Sequence, residues 1–365
     1  MSKVIHVIDE ACLSGAVAEA TLLAGEVALA GEAALVCIGP PPPELGEGRR
    51  VVRLARPNRW SAALGAGLRP LPRVLAGDPI AHCWSVSSAA DLWAASGYAD
   101  LKLLVRLVER PGGRELDRLG ELCRMTAARV VCASESDAEA LAKALGPADV
   151  RAIGPLTGDP AVPPAHRDEL REQLGIGPDE AVFLAPGAMR RGSGHRRAIW
   201  AVTVLTVVEL PVRLLMQAAG PAADKVRGFA ERTVSGHFVA WADPAVPPGD
   251  LLAVADAALF LQDTSPPPVL LAAAMRAGVP VIAARDQAPA FLADGRNALL
   301  PPGDSPRAIA REMLRLIEED GLAKRLAAGA RATAAEALDA GAIAAAWAEL
   351  YSFLQPAEAG AGDEH

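Results

Sequence analysis

The sequence is short of aromatic residues, which fill 4% of its 365 positions, and short of cysteines, of which there are five. Cys12, Cys37, Cys83, Cys123 and Cys132 never come to C-x-x-C spacing. An odd count, with Cys37, Cys83 and Cys132 in strand-like runs, reads as small hydrophobes and excludes a disulfide framework. That usage predicts a reducing, cytoplasmic setting. Positive charge is also in deficit: 36 Lys and Arg face 44 Asp and Glu, a net charge of −8. This excludes general nucleic-acid binding, which needs a basic face, but leaves room for a small basic pocket. No long apolar run is uninterrupted. "AIWAVTVLTVVELPVRLLM" is broken by Glu209 and Pro211, so it reads as a helix turning into a strand, not as a membrane span. The opening "MSKVIHVID" has strand character and lacks the charged and then apolar layout of a secretory signal. No G-x-G-x-x-G follows the first strand, no acidic residue ends the second, and no G-x-S-x-G occurs. A nicotinamide dehydrogenase and a serine nucleophile elbow are disfavoured accordingly.

What is present is apolar sequence, 51% of the chain, enough for real cores. It is arranged as short strand-like runs alternating with helix-like ones. Strands are expected at 3–9, 33–39, 51–56, 80–85, 101–108, 129–134 and 150–155, with helices between them. "LTGDPAVPPAH" then interrupts the alternation with Pro and Gly and is the best linker. A short helix, "HRDELREQLG", follows it. The pattern restarts with strands at 181–187, 212–220, 237–243, 257–263 and 280–286, and helices fill 305–354. Strands without internal alternation, each followed by a helix, imply parallel sheets covered on both faces. The expected fold is therefore α/β, with two facing Rossmann-like domains and a cleft between them. The expected divisions are an N-terminal domain over 1–155, a linker and short helix over 156–180, and a second domain over 181–335. A terminal helix over 336–355 would pack back toward the first domain, and 356–365 would form a disordered tail. In such folds, ligands sit beyond the carboxyl ends of the strands.

Three stretches of the second half are distinctive: "GAMRRGSGHRRAIWA" after a strand, "LLAVADAALFLQD", and "LLAAAMRAGVPVIAARDQAPAFLADGRNALLPPGD". Together with "KVIHVID…SGAVAEATLLAGEVALAG", "PIAHCWS" and "RVVCASESDAEAL" in the first half, they make the chain resemble the GT-B glycosyltransferases of the family-4 retaining type. The resemblance implies transfer of a sugar from a nucleotide-sugar donor to a carbohydrate acceptor, with retention and without a metal. The absence of D-x-D and of any His/Cys cluster at ligand spacing agrees with the last point. The departures fall at the donor site. By the "AMRAGVPV" register, the two glutamates of the family's signature are replaced by Ser265 and Ala273. The slots of its Arg and Lys hold Ala188 and Ser193, and the double glycine of the first loop is reduced to Ser14 and Gly15.

Candidate residues follow from these positions. Arg190, Arg191, Arg196 and Arg197 surround "GSGH" at a strand–loop–helix junction. With Gly194 they could form a diphosphate cradle of guanidinium forks and helix N–H groups; the plainer reading is a solvated basic helix start. Gly15 and Ser265 complete the expected donor contacts. His82, in "IAHCW", and Asp263, beside the missing first glutamate, are the candidate catalytic groups; a core histidine and a turn cap are the plainer readings. His195 is a candidate helix-start contact, Trp84 and Trp93 candidate sugar platforms, and Arg106 and Glu109 candidate acceptor-side residues. Asp286 and Gln287 are ordinary loop candidates, and His6 reads as core. "SPPPVLLAAAMRAG" predicts a helix with Ser265 as N-cap, Pro266 at its first position and Gly278 past its end. Three prolines there remove donors that the resemblance would assign to phosphate and sugar. Two functions are therefore open: a divergent glycosyltransferase, or a degenerate scaffold of the same fold that binds a glycan or a protein partner.

Overall fold

The computed structural model describes residues 3–9, 12, 14–26, 33–39, 51–54, 71–108, 111–157, 164–207, 209–233, 236–264, 266 and 268–354. The chain divides into two units, one formed by Met1–Leu156 with Ala340–His365 and the other by Thr157–Asp339.

The first unit runs β1 (Val4–Asp9), α1 (Ser14–Glu26), β2 (Ala33–Ile38), β3 (Val51–Leu54), α2 (Leu71–Val74), β4 (Ile80–Cys83), α3 (Val86–Ala95), β5 (Lys102–Leu107), α4 (Arg114–Thr126), β6 (Arg129–Cys132), α5 (Glu135–Leu145) and β7 (Val150–Ala152). Its described strands form one parallel sheet in the order β3-β2-β1-β4-β5-β6-β7. The order reverses between β1 and β4. Serines start two of its helices: Ser85 Oγ accepts Ser88 N–H at 2.9 Å while Ser88 Oγ accepts Ser85 N–H at 3.2 Å, a reciprocal capping box on α3. Ser134 caps α5 in the simpler way.

The second unit runs α6 (Pro164–Gln173), β8 (Ala181–Ala185), α7 (His195–Thr206), β9 (Val212–Gln217), α8 (Ala223–Glu231), β10 (Val239–Ala242), α9 (Pro248–Val254), β11 (Ala257–Phe260), α10 (Pro268–Ala277), β12 (Val281–Ala283), α11 (Pro306–Glu318) and α12 (Leu322–Ala337). Its sheet is parallel, in the order β10-β9-β8-β11-β12, and reverses between β8 and β11. Alternate residues of each strand serve different cores. Val182 and Leu184 join Leu215, Ala258 and Val281 on one face. Phe183 and Ala185 join Leu214, Leu259 and Ile282 on the other. Two buried faces explain why these strands show no polar alternation.

The ladders end earlier than the apolar runs suggest: β9 stops at Gln217 and β11 at Phe260. Leu261 and Gln262 stay buried beyond the end of β11, so burial continues where pairing does not. The proline helix also differs from expectation. It begins at Pro268, so Pro266 is not its first residue; Ser265 and Pro267 lie outside the described residues. A residue that precedes proline is pushed out of the helical region. In a run of three prolines only the last can open a helix. The first turn itself therefore lacks one N–H, Pro266 and Pro267 lack theirs just before it, and Val269 and Leu270 keep theirs.

A last helix, α13 (Ala340–Leu354), packs in the first unit. Its Trp347 and Tyr351 are both buried, and Trp347 lies under the Arg106 guanidinium, 5.3 Å from carbon to ring centroid. Among the described residues no helix is long and apolar enough to cross a membrane.

Arg106 is fully buried and forks onto Glu19 of α1 at 3.0 Å. Its Nη1 also donates to the carbonyls of Cys132 and Ile153, at 2.8 and 2.7 Å. Glu19 in turn accepts Leu156 N–H at 2.9 Å. Burial pushes the Glu19 carboxyl up, against the pull of Arg106 and of that N–H. Removing one partner strands the other in the interior. Arg106→Met is expected to destabilise the first unit by about 3–5 kcal/mol, with much of the loss recovered when Glu19→Gln is added; urea unfolding of the single and double variants measures this.

Candidate functional site

The second unit carries a cavity of about 510 Å³ beyond the carboxyl ends of β8, β9 and β11. This is where the strand order reverses, the usual ligand position in an open parallel sheet. One wall is the loop from β8 to α7. Another is the loop from β9 into α8, with Pro221, Ala222 and Lys225. Asp263, after β11, closes the rim.

Glycine makes the close approach possible. Gly194 has φ +79°, and a Cβ there would collide with the Leu261 carbonyl and lie 2.8 Å from Gln262 N. Gly220 has φ +102°, and its Cβ would lie 2.6 Å from Met189 N and O. Backbone bonds then stitch the walls together: Met189 N–H to Ala219 O at 2.7 Å, Ala222 N–H to Met189 O at 2.8 Å, and Asp263 N–H to Gly192 O at 2.8 Å.

The cavity is strongly basic in an acidic protein. Arg190, Arg191, Arg196, Arg197 and Lys225 line it against the single carboxylate of Asp263. Arg196 and Arg197 also occupy the first turn of α7, which has no acidic residue. Cations at a helix N-terminus oppose the helix dipole, and an anion in front of them relieves both. Among the described residues no group of three or more His, Cys, Asp or Glu is placed to hold a metal ion.

The expected cradle is only partly assembled. Arg197 does not stand free: it donates to Leu261 O at 2.7 Å, pairs with Asp263, and reaches Asp304 at 3.3 Å. Arg196 lies with its guanidinium 4.2 Å from the Phe229 ring centroid. Arg190 donates its backbone N–H to Ser193 Oγ at 3.2 Å. Ser193 also pairs with His195 Nδ1 at 2.8 Å, which folds that hydroxyl into the loop. His195 is buried, and burial lowers it to about 4, so it is neutral at pH 7. Ala273, within α10, packs against the core and brings no charge. Gly15 lies in the first turn of α1.

His82 departs from its expected place at an opening. It is 0% exposed. Its Nδ1 meets the Tyr351 hydroxyl at 2.7 Å, its ring stacks on Trp84 at 4.5 Å, and Nε2 has no partner. It sits on β4, in the middle of the sheet between β1 and β5, and its aromatic neighbours make it a core group, out of reach of a substrate as it stands. Trp84 and Arg106 are buried with it, and His6 is core as expected. Trp93 is half-buried against Tyr98. Glu109 lies outside the described residues, and Asp286 and Gln287 form a short turn after β12.

Comparison with solved structures now bears on the fold. HepE of Anabaena, solved in complex with UDP and glucose, superposes with a TM-score of 0.76 at 18% identity, covering 97% of this chain and 100% of that one. Sucrose-phosphate synthase of Thermosynechococcus elongatus gives 0.72 at 17% identity, covering 97% and 99%. WaaG, a glycosyltransferase involved in lipopolysaccharide biosynthesis, gives 0.72 at 14%, covering 96% and 100%. The fold is that of the GT-B glycosyltransferases. Residues 180–319 also match the sequence family described as glycosyl transferases group 1. That span includes every residue lining the basic cavity, so the GT-B resemblance read from the sequence is strongest where the cavity lies. Comparison with curated protein sequences finds no match.

Lys225 and Asp304 were not nominated from the sequence. "QAAGPAADK" ends the strand next to the reversal, and the carboxyl-end rule applied to that strand would have pointed to Lys225.

Two outcomes are expected. Asp263 competes with any bound anion for Arg197, so Asp263→Asn should tighten binding of inorganic pyrophosphate about two- to fivefold, read by calorimetry. The buried histidines set an acid limit. Burial lowers His6 to about 3 and His82 well below its usual value, as it lowers His195. The unfolded chain therefore binds more protons below pH 6.5. Stability is complete above that pH and falls as pH drops, by about 1.4 kcal/mol per unit for each histidine. Two of the three lie in the first unit, so hydrogen exchange between pH 6.5 and 5 should accelerate there before it does in the second.

Proposed function

We propose that the protein is a glycosyltransferase that binds a nucleoside-diphosphate sugar in the basic cavity of its second unit and passes the sugar to a carbohydrate acceptor. The observation that carries this reading is the cavity itself: five cationic side chains and the start of α7 gathered at the reversal of a parallel sheet, in a chain of net charge −8. Its volume suits a nucleotide. HepE, which shares the fold, has been solved with UDP and with UDP-glucose, and this supports a uridine donor as the first to try.

The chemistry follows from the charges. When a sugar leaves its donor, negative charge collects on the departing diphosphate. Fixed cations and helix N–H groups aimed at it stabilise the transition state as a divalent metal would, so the reading is metal-independent. Retention at the anomeric carbon rests on the family-4 resemblance. A cytoplasmic setting is supported by the five free cysteines.

A second reading has an observation of its own. Asp263 is the one carboxylate lining the cavity among the described residues, and it is committed to Arg197, while Ala273 supplies no acid. A scaffold that holds a sugar nucleotide without turnover fits that arrangement.

Purified protein should gain melting temperature, saturably, with one of UDP, GDP or ADP, and Arg190→Ala with Arg191→Ala should reduce the gain. Release of the nucleoside diphosphate from the matching sugar nucleotide, stimulated by glycan acceptors, supports transfer. Binding without release selects a scaffold that keeps the nucleotide, and no gain with any of the three removes the transferase and points to a scaffold for a glycan or a protein partner.

A further inference from the structure

The cations of the cavity differ in how far they are already spent. Arg197 is balanced by Asp263 and Asp304 and fixed by the Leu261 carbonyl. Arg196 is laid over Phe229. Ser193, in the middle of the loop, has its hydroxyl engaged by Arg190 N–H and His195, so it cannot turn to a ligand without opening the loop. Among the described residues, Lys225 and Arg191 line the cavity with no hydrogen-bond or ion-pair partner.

Of these two, Lys225 is the better placed. It stands in the first turn of α8, whose other side is anchored by buried Val226 and Ala230. The start of that helix is bound to the opposite loop through the Ala222–Met189 and Met189–Ala219 backbone bonds, at 2.8 and 2.7 Å. Gly220 lets the two pass in contact. The Cα of Lys225 is therefore held relative to the α7 N-terminus by main chain, not by a flexible loop tip. No acidic side chain lies three or four positions away on its helix to neutralise it: Ala222, Gly228, Pro221 and Phe229 occupy those places. An unpaired ammonium at the wall of a basic cavity has as its natural counter-charge an anion inside the cavity, and an ammonium suits phosphate oxygens as a point charge.

We propose that Lys225 is the principal side-chain grip on the donor diphosphate, bridging the cavity from α8 to the phosphates held at the start of α7. This rests on the reading that the cavity takes a nucleoside diphosphate. It moves the main charge contact off the arginine loop, where the sequence alone places it, onto a helix of the neighbouring strand.

The test titrates UDP, UMP and uridine into wild type, Lys225→Met, Lys225→Gln and Lys225→Arg by calorimetry at two salt concentrations. Wild type should prefer UDP to UMP. Both neutral variants should lose about tenfold or more in UDP affinity, with a shallower salt dependence and little change for uridine, while Lys225→Arg stays within about threefold of wild type. Lys225 is exposed, so the unliganded variants should melt as wild type does. Neutral variants that melt normally and bind UDP within twofold of wild type overturn the assignment and leave the functional reading intact. Wild type that binds no nucleoside diphosphate, GDP and ADP included, overturns both.

Discussion

Arg197 is the joint on which the second unit's site is built. One guanidinium nitrogen holds the Leu261 carbonyl and the other reaches Asp263 and Asp304, so a single side chain ties α7 to the segments after β11 and before α11. The tie is possible only because Gly194 lets the α7 loop lie directly against Leu261 and Gln262. It also explains an otherwise costly feature. Two arginines in the first turn of a helix oppose its dipole, yet Asp263 and Asp304 offset one of them. What remains uncompensated is the charge of Arg191, Arg196 and Lys225 around the same cavity, and that surplus is the part available to a ligand.

The first unit solves a related problem in the opposite way. Arg106 is withdrawn completely from water and matched with Glu19 and three backbone carbonyls, which gathers α1, β5, β6 and the strand end before Leu156 around one charge. Trp347 of α13 covers the guanidinium, and Tyr351 of the same helix bonds His82. The terminal helix is thus fastened by polar contacts buried among rings, not by apolar area alone. A charge with every donor satisfied is structural. A charge with open donors in a cavity is a binding group. The two units place arginines at these two extremes.

Much of the fold could be read from the chain because its signal is redundant. Unalternating apolar runs such as "AVFLA" and "VRLLM", each followed by a helix start, have few solutions other than a doubly covered parallel sheet. The site was legible in position more than in detail. "RRGSGHRR" announced a basic glycine loop, and that loop does form a wall of the cavity. Which arginine faces a ligand depends on partners far away in sequence: Asp304 for Arg197 and Phe229 for Arg196. No local pattern encodes those pairings. His82 misled for the same reason. A histidine at a strand end looks functional until the residue that covers it, 269 positions later, is known.

The proline run shows how a local rule can reverse a functional conclusion. Counted as residues, three prolines at a helix start delete three donors and argue for a dead phosphate site. Taken with the constraint each proline places on its predecessor, they delay the helix until Pro268 and delete one donor from its first turn, at the position where that donor has no helical use. The N–H groups of Val269 and Leu270 survive. Pro266 and Pro267 still withhold two donors just before the helix, so the turn keeps only part of its backbone capacity for an anion, and by the resemblance it also lacks the two carboxylates at 265 and 273. The cations that line the cavity, at 190, 191, 196, 197 and 225, are thus separate in the chain from positions 265 and 273, where the resemblance would place its acids.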